Sequence, residues 1–399
     1  MFKPLALAAL AFAVSMPAEA RTVTDHSASP PKGWTLDRVV VVMRHGIRPP
    51  TKAEPLPAGE AQESWPVWDV QWGFLTRHGE QAIVKVADYD HGTYGAFLGL
   101  ACPTAHDVRV VADVDQRTID TAQTYADELF SGCHVPVEHA PDGQSDPRFS
   151  PFEGSSDFDA KAGLTSAQAS LPKGGLPAVD ADNAAGLKTL NDILGCTQAA
   201  CDLTQQPAAI DAPKGRIKLE GGINTASTLS EILALEYAEG KPMSEVGWGR
   251  ADRLTIARLL SFHALEFQLV ARPKIIADYA AKPLLAEIRR GLFATDTAKF
   301  TVLVGHDGNL ANIGGALNLH WQGGDFAQDD PPPGGALIFE LWRDNTGKKH
   351  VVVRFRSQTL DEMRTLTPLG TDASKALTLP QCGGHTDCDA RTFEQALKR

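Results

Sequence analysis

The run Val39-Val40-Val41-Val42-Met43 constrains this 399-residue chain more than any other stretch. Five unbroken apolar residues read as a strand of the core. The chain then continues Arg44-His45-Gly46-Ile47-Arg48-Pro49-Pro50-Thr51, so two arginines and a histidine follow directly on a buried element. Charge carried to the tip of a core strand needs a compensating charge or a ligand there. A second apolar strand, Thr301–Val304, runs into Gly305-His306-Asp307, and a third, Val108–Ala112, leads through Asp113 and Asp115 to Arg117. Sites at the C-terminal ends of strands in α/β sheets have this layout.

Leu337–Leu341 and His350–Phe355 read as further strands. Helices are predicted over Gly73–Val86, Gln116–Leu129, Leu254–Val270 and Leu284–Phe293. In Leu254–Val270, Ile256, Leu259, Leu260, His263, Phe267 and Val270 recur at steps of three and four. His263 on that apolar face is read as a hydrogen-bonded core residue. Trp65, Trp68 and Trp72 are read as a packing stripe under the loop after the first strand. Residues 150–271 show helices and loops but no strand, whereas strands and helices lie on both sides. The expected fold class is therefore α/β, with a catalytic domain made from 21–149 and 272–399 and a mostly α-helical second domain inserted at 150–271.

The N-terminus has the form of an export signal. Lys3, an apolar stretch from Leu5 to Val14, and Ala18-Glu19-Ala20 describe a signal peptide cut after Ala20, giving a periplasmic or secreted protein. No later segment approaches the ~18 unbroken apolar residues of a spanning helix. In an exported chain, six cysteines point to disulfides. Cys196 with Cys201 and Cys382 with Cys388 are local pairs, which leaves Cys102 with Cys133. Zinc is the competing reading, but neither local pair has C-x2-C spacing. A net charge of −11 argues against nucleic acid and against an anionic membrane as partner. A small anionic substrate stays open, because the few groups lining a pocket set its field. A monomer is expected.

If the strand tips converge on a phosphoryl group, Arg44, Arg48 and Arg117 neutralise its oxygens and His306 adds a donor. His45 then attacks phosphorus, giving a phosphohistidine. Asp307 protonates the leaving oxygen and later helps water attack the intermediate. This chemistry calls for no metal and no cofactor, and it predicts an acidic optimum. The rival from another class is an inactive phosphate-binding protein.

RHGIRPPT and GHDGN, with DVDQRT, GWGR at 247–250 and PPPGGALIFELWR in the same order, resemble the histidine acid phosphatases, and within them the bacterial periplasmic phytases. The resemblance implies a three-layer α/β/α core of phosphoglycerate-mutase type with an inserted helical domain. It also implies His45 as nucleophile, Asp307 as proton donor, and Arg44, Arg48, Arg117 and His306 as phosphate ligands. Thr51 and Lys52 enter as weaker substrate contacts. Phytate is the implied substrate, with a broad acid phosphatase or a glucose-1-phosphatase-like sugar phosphatase as the alternative. Gly308 departs from the pattern, standing where those phytases have Thr, and Thr228 stands where they have Met.

Overall fold

The computed structural model describes residues 33–398, apart from 58, 100, 142, 155 and 156. The signal-peptide reading falls on residues 1–20, outside the described residues. From the N-terminal side come β1 (Thr35–Arg44), α1 (Arg77–Leu98), β2 (Val108–Ala112), α2 (Gln116–Leu129) and β3 (Val137–Glu138). A helical stretch follows: α3 (Ala160–Ala169), α4 (Gly175–Leu194), a hairpin of β4 (Ala209–Asp211) and β5 (Lys218–Glu220), α5 (Gly222–Ala238), α6 (Arg253–Leu259) and α7 (Ser261–Val270). The chain then returns through α8 (Lys274–Phe293), β6 (Phe300–Gly305), α9 (Asp307–Leu317), β7 (Ala336–Arg343) and β8 (Lys349–Arg356). It ends with α10 (Leu360–Thr365), β9 (Ser374–Ala376), β10 (Asp387–Asp389) and α11 (Ala390–Ala396).

One mixed sheet has the order β10-β8-β7-β1-β6-β2-β3, with β9 beside β8. β1, β6, β2 and β3 run parallel, and β7 is antiparallel to β1. The apolar run of β1 is explained by its place in the middle. Val39, Val41 and Met43 pack towards α1 and α2, while Val40 and Val42 pack towards α8 and α9. A strand covered on both faces has no solvent side on which to place polar residues. The helices between 175 and 270 gather around Leu190, Ile193, Leu229, Leu233, Leu260 and Phe262 in a cluster that Ile47, Leu56, Leu360 and Met363 also join.

Several expected boundaries move. α1 begins after Thr76, whose hydroxyl accepts from Gly79 N–H at 2.8 Å, because Gly73 sits at φ +78° in a turn. It runs on to Leu98, since its buried side continues with polar groups that find partners. Asp90 pairs with Arg356 at 2.9 Å and Tyr94 donates to Glu340 at 2.7 Å, which hides the apolar period. The helix expected at Leu254–Val270 is interrupted at Leu260. α8 starts at Lys274, ten residues before the expected Leu284, and carries Pro283 inside it. The apolar face Ile276, Ala277, Ala280 and Ala281 outweighs the hydrogen bond that Pro283 cannot donate. The β4–β5 hairpin corrects the reading of 150–271 as strand-free.

Disulfides join Cys102 to Cys133, Cys196 to Cys201 and Cys382 to Cys388, with Cα–Cα distances of 5.4, 5.7 and 5.4 Å. All six sulfurs are bonded in these pairs, so zinc ligation by them is excluded. Of the tryptophan stripe, Trp65 packs on Trp248 and Trp68 is buried under the Lys241 ammonium, but Trp72 is exposed.

Candidate active site

Register builds this site. Arg44 pairs with Gly305, and Ala112 with Val304, so β1, β6 and β2 end almost level. His45 N–H donates to Gly305 O at 2.9 Å, and Asp113 N–H to Val304 O at 3.0 Å. The first residues beyond three neighbouring strands are thus His45, His306 and Asp113. Gly46 lets the chain turn against α1, where a Cβ would come within 2.8 Å of Leu75 Cδ1. Arg356 supports the same turn from below. Its Nη1 donates to Gly334 O at 2.5 Å, and Gly334 N–H donates to His45 O at 3.0 Å.

His45 is 1% exposed, and its Nδ1 lies 2.8 Å from the Gly46 carbonyl. A carbonyl only accepts, so Nδ1 carries the proton and Nε2 the lone pair. Burial, reinforced by Arg48, Arg117, Arg44 and His306, pushes the imidazole well below its ordinary range. The ring therefore stays neutral in acid, with the Nε2 lone pair unprotonated. Its centroid is 5.6 Å from that of His306. His306 Nε2 is 2.8 Å from Asp113, and Arg117 Nη2 is 2.8 Å from Asp115. Of the two acidic residues before Arg117, Asp115 pairs with the arginine and also lies 3.4 Å from His306 Nε2, so both carboxylates face His306.

A cleft of about 350 Å³ is lined by His45, Arg48, Arg117, His306 and Asp307 among others. The structure brings together all of the expected catalytic and phosphate-binding residues except that Arg44 lies behind the cleft wall. Its Nη1 donates to Pro331 O at 2.6 Å, and its Nη2 is shared by Asp307, at 2.9 Å, and Glu231. Nε of Arg44, Arg48 and Arg117 is buried in each case without a hydrogen-bond partner among the described residues. Of these three, Arg48 and Arg117 line the cleft and give it two guanidiniums, each with an unsatisfied donor. Thr51 and Lys52 are exposed and line neither this cleft nor its neighbour.

Sequence reasoning missed Glu231. It lies on α5 and bridges Arg44 and Arg48, at 3.1 Å from Arg48 Nη2. Burial alone would raise its carboxyl, but Arg48 and Arg44 outweigh burial and hold it below the ordinary range. Asp307 is likewise well below that range: burial opposes, while Arg44, His263, Arg48 and His306 prevail. His263 is a core histidine, as expected, with Nδ1 2.7 Å from Asp330 and a pKa raised to about 9. Burial works against that rise, which Asp330 and Glu231 produce. It also faces the site, which its apolar helix face did not signal. Glu231's apolar neighbours Ile232 and Leu233 likewise mark it only as a residue on a buried helix.

Two groups, Asp113-Asp115-His306 and Glu231-His263-Asp307, hold their polar atoms within ligand reach of each other. In both, arginines match the carboxylates or a carboxylate matches the histidine, so neither is read as a metal centre.

A neutral histidine ringed by buried cations, with a carboxyl across the cleft, at the C-terminal ends of the parallel strands of a mixed sheet, has the layout of a site for a phosphoryl-sized oxyanion. The model of the histidine phosphatase superfamily (branch 2) matches residues 35–170 and 269–357. The phytase AppA of Escherichia coli (strain K12) is 34% identical over 381 residues, covering 87% of this chain and 87% of that protein. A glucose-1-phosphatase of Providencia rettgeri is 31% identical over 380 residues, covering 90% and 88%. The Hafnia alvei phytase solved with myo-inositol hexakis sulphate superposes with a TM-score of 0.82 at 31% identity, covering 92% and 97%. The chain belongs to the histidine phosphatase superfamily, branch 2.

Proposed function

We propose that this protein is an exported, periplasmic acid phosphatase that hydrolyses phosphate monoesters, phytate first among them, through a phosphohistidine on His45. The observation that carries the reading is the tautomer and charge of His45: Nδ1–H bound to Gly46 O, Nε2 bearing the lone pair, and burial among arginines keeping it unprotonated. Nε2 attacks phosphorus, the bond to the leaving oxygen breaks, and Asp307 delivers a proton to that oxygen. Water then attacks the phosphohistidine, Asp307 takes its proton, and phosphate leaves as Nε2 recovers its electron pair. Arg48, Arg117 and His306 balance the phosphoryl charge, and Arg44 holds Asp307 until a dianion competes for it.

Asp307 starts ionised in its pair with Arg44, so the proton it donates enters with the substrate. Drawing the arginines onto a phosphate dianion raises the carboxyl's hold on a proton, which favours turnover in acid. Residues 21–149 and 272–399 would form the catalytic unit, with 150–271 as an inserted unit bringing Glu231 and His263 over it. The cluster around Leu229 and Leu233, drawn mostly from the inserted helices and joined by Ile47, Leu56, Leu360 and Met363 from the catalytic segments, supports that division. The three disulfides fit an exported protein. A second reading, a sugar phosphatase, is favoured by the cavity beside the cleft. There Arg216, Lys218 and His263 join Arg48 as cations, against Glu220, Glu231, Glu266 and Asp307, so the cavity carries no excess of positive charge.

Rapid acid-free quenching during turnover of phytate, p-nitrophenyl phosphate and glucose 1-phosphate, with EDTA present, tests the proposal. Wild type should give an acid-labile phosphoryl group on the His45 peptide, and His45→Ala should give neither label nor turnover. Turnover by His45→Ala would overturn the reading.

A further inference from the structure

Beside the phosphate cleft lies a second cavity, about 660 Å³, which shares Arg48, Asp307 and Gly308 with it. It is the space for the part of the substrate beyond the scissile phosphate. Gly308 widens the passage, since a Cβ there would meet nothing within 4 Å.

The carboxylates of this cavity are not alike. Glu231 is matched by Arg44 and Arg48, and Asp307 by Arg44. Glu266, on α7 one turn beyond His263, makes no ion pair with an arginine or lysine among the described residues. Its one hydrogen bond among the described residues is accepted from the hydroxyl of Ser227, which is fully buried on α5. A glutamine would accept that bond equally well and would not place a charge in the wall. A carboxylate there acts on whatever enters the cavity.

We propose that Glu266 is the specificity-determining residue of this phosphatase, accepting hydrogen bonds from hydroxyl groups of the leaving group and repelling a second phosphate as long as it is ionised. The inference rests on the phosphatase reading and narrows its substrate class. An ionised Glu266 favours esters of hydroxyl-rich alcohols carrying few other phosphates, and a protonated one admits phosphate-rich polyols.

The charges around Glu266 make that change of state accessible. Burial pushes its carboxyl above the ordinary range; the Ser227 bond and His263 pull it back, and Asp307 and Glu231 add to the push. His263 on the same helix is engaged by Asp330. From the packed elements, α5 presents Glu231, α9 presents Asp307, and the tail of β1 presents Arg48. The hairpin presents Arg216, Lys218 and Glu220, all exposed at the rim. Those rim cations attract phosphate at every pH of interest, so the sign of the inner wall decides how deep a second phosphate sits.

The test is the affinity of myo-inositol hexakissulfate, a polyanion whose own charge does not change between pH 4.5 and 7, measured by calorimetry on wild type and Glu266→Gln. Wild type should weaken by tenfold or more as pH rises across this range, and Glu266→Gln should weaken much less, binding at least tenfold tighter than wild type at pH 7. The ratio of kcat/KM for phytate over glucose 1-phosphate at pH 6.5 should rise by a similar factor in the variant. Parallel pH profiles, or an unchanged ratio, overturn the inference. Ser227→Ala, which keeps the carboxylate but removes its hydroxyl donor, should shift the loss of wild-type affinity to higher pH, and it decides the matter if Glu266→Gln does not fold. Wild type that fails to turn over p-nitrophenyl phosphate would overturn the phosphatase reading, while the calorimetric comparison still judges Glu266 as a charge sensor.

Discussion

Glu231 and a phosphate bound in the cleft compete for Arg48, while Glu231 also holds Arg44 behind the cleft wall. Glu231 accepts from Arg44 and, at 3.1 Å, from Arg48. Replacing it by glutamine keeps the volume and one acceptor but removes the anion. A hydrogen bond to a charged group contributes roughly 1.5–3 kcal/mol. If phosphate must displace Glu231 from one of its two arginines, Glu231→Gln should tighten phosphate by about 1.5–3 kcal/mol, which is roughly ten- to 150-fold. The pH dependence carries a second signature. Although burial alone would raise the Glu231 carboxyl, Arg48 and Arg44 hold it below its ordinary range when phosphate is absent. Phosphate engages Arg48 and adds a nearby dianion, so the carboxyl's pKa rises in the complex. A group whose pKa rises on binding takes up a proton, and affinity improves as pH falls between the two values. Asp307 contributes a second uptake of the same sign. Competitive inhibition of p-nitrophenyl phosphate hydrolysis by inorganic phosphate, from pH 4 to 7, reads both effects. Glu231→Gln should lower Ki at the upper end of the range and lose about one proton of uptake. An unchanged or higher Ki, with the wild-type pH slope retained, would refute the competition.

Asp307→Asn should slow alkyl phosphates, glucose 1-phosphate among them, by a factor of about 100 or more, and p-nitrophenyl phosphate far less, because nitrophenolate leaves without a proton. Equal losses on both substrates would remove the proton-donor role. Glu236 tests the inserted helices. It is 1% exposed, accepts from Gly247 N–H at 2.9 Å, and is raised by burial to about 7. An acid that keeps its proton longer in the folded state stabilises that state less as pH rises, so stability should fall from about pH 4.5 to 7 by ~1.4 kcal/mol per unit, ~3 kcal/mol in all. Glu236→Gln escapes this loss, so its urea midpoint should gain on wild type from pH 5 to pH 8; a constant difference would show that Glu236 does not titrate in this way.

Much of the site was legible because it is written in local signals. A β-strand buried on both faces must be continuously apolar, and charge at its tip stands out against it, which is how Arg44, His45, Arg48, His306 and Asp307 were found. Cysteine spacing and export chemistry were enough for the disulfides. Helix limits were less legible where burial is not apolar. Asp90 and Tyr94 sit in the sheet-facing side of α1 because Arg356 and Glu340 wait for them, and those partners are more than 240 residues away.

The amino-acid order by itself determined the α/β class and the three strand tips, and it singled out His45 as the candidate nucleophile, because strand burial and tip charge are properties of short segments. Only the tertiary structure decided the electrostatic state of those groups. Register set β1 beside β6 and β2 so that His45 lies among three guanidiniums, and the inserted helices delivered Glu231, His263 and Glu266 to the same space. Charge interactions act through distance, and distance in the folded chain is set by strand pairing and helix packing, which no short window of residues contains.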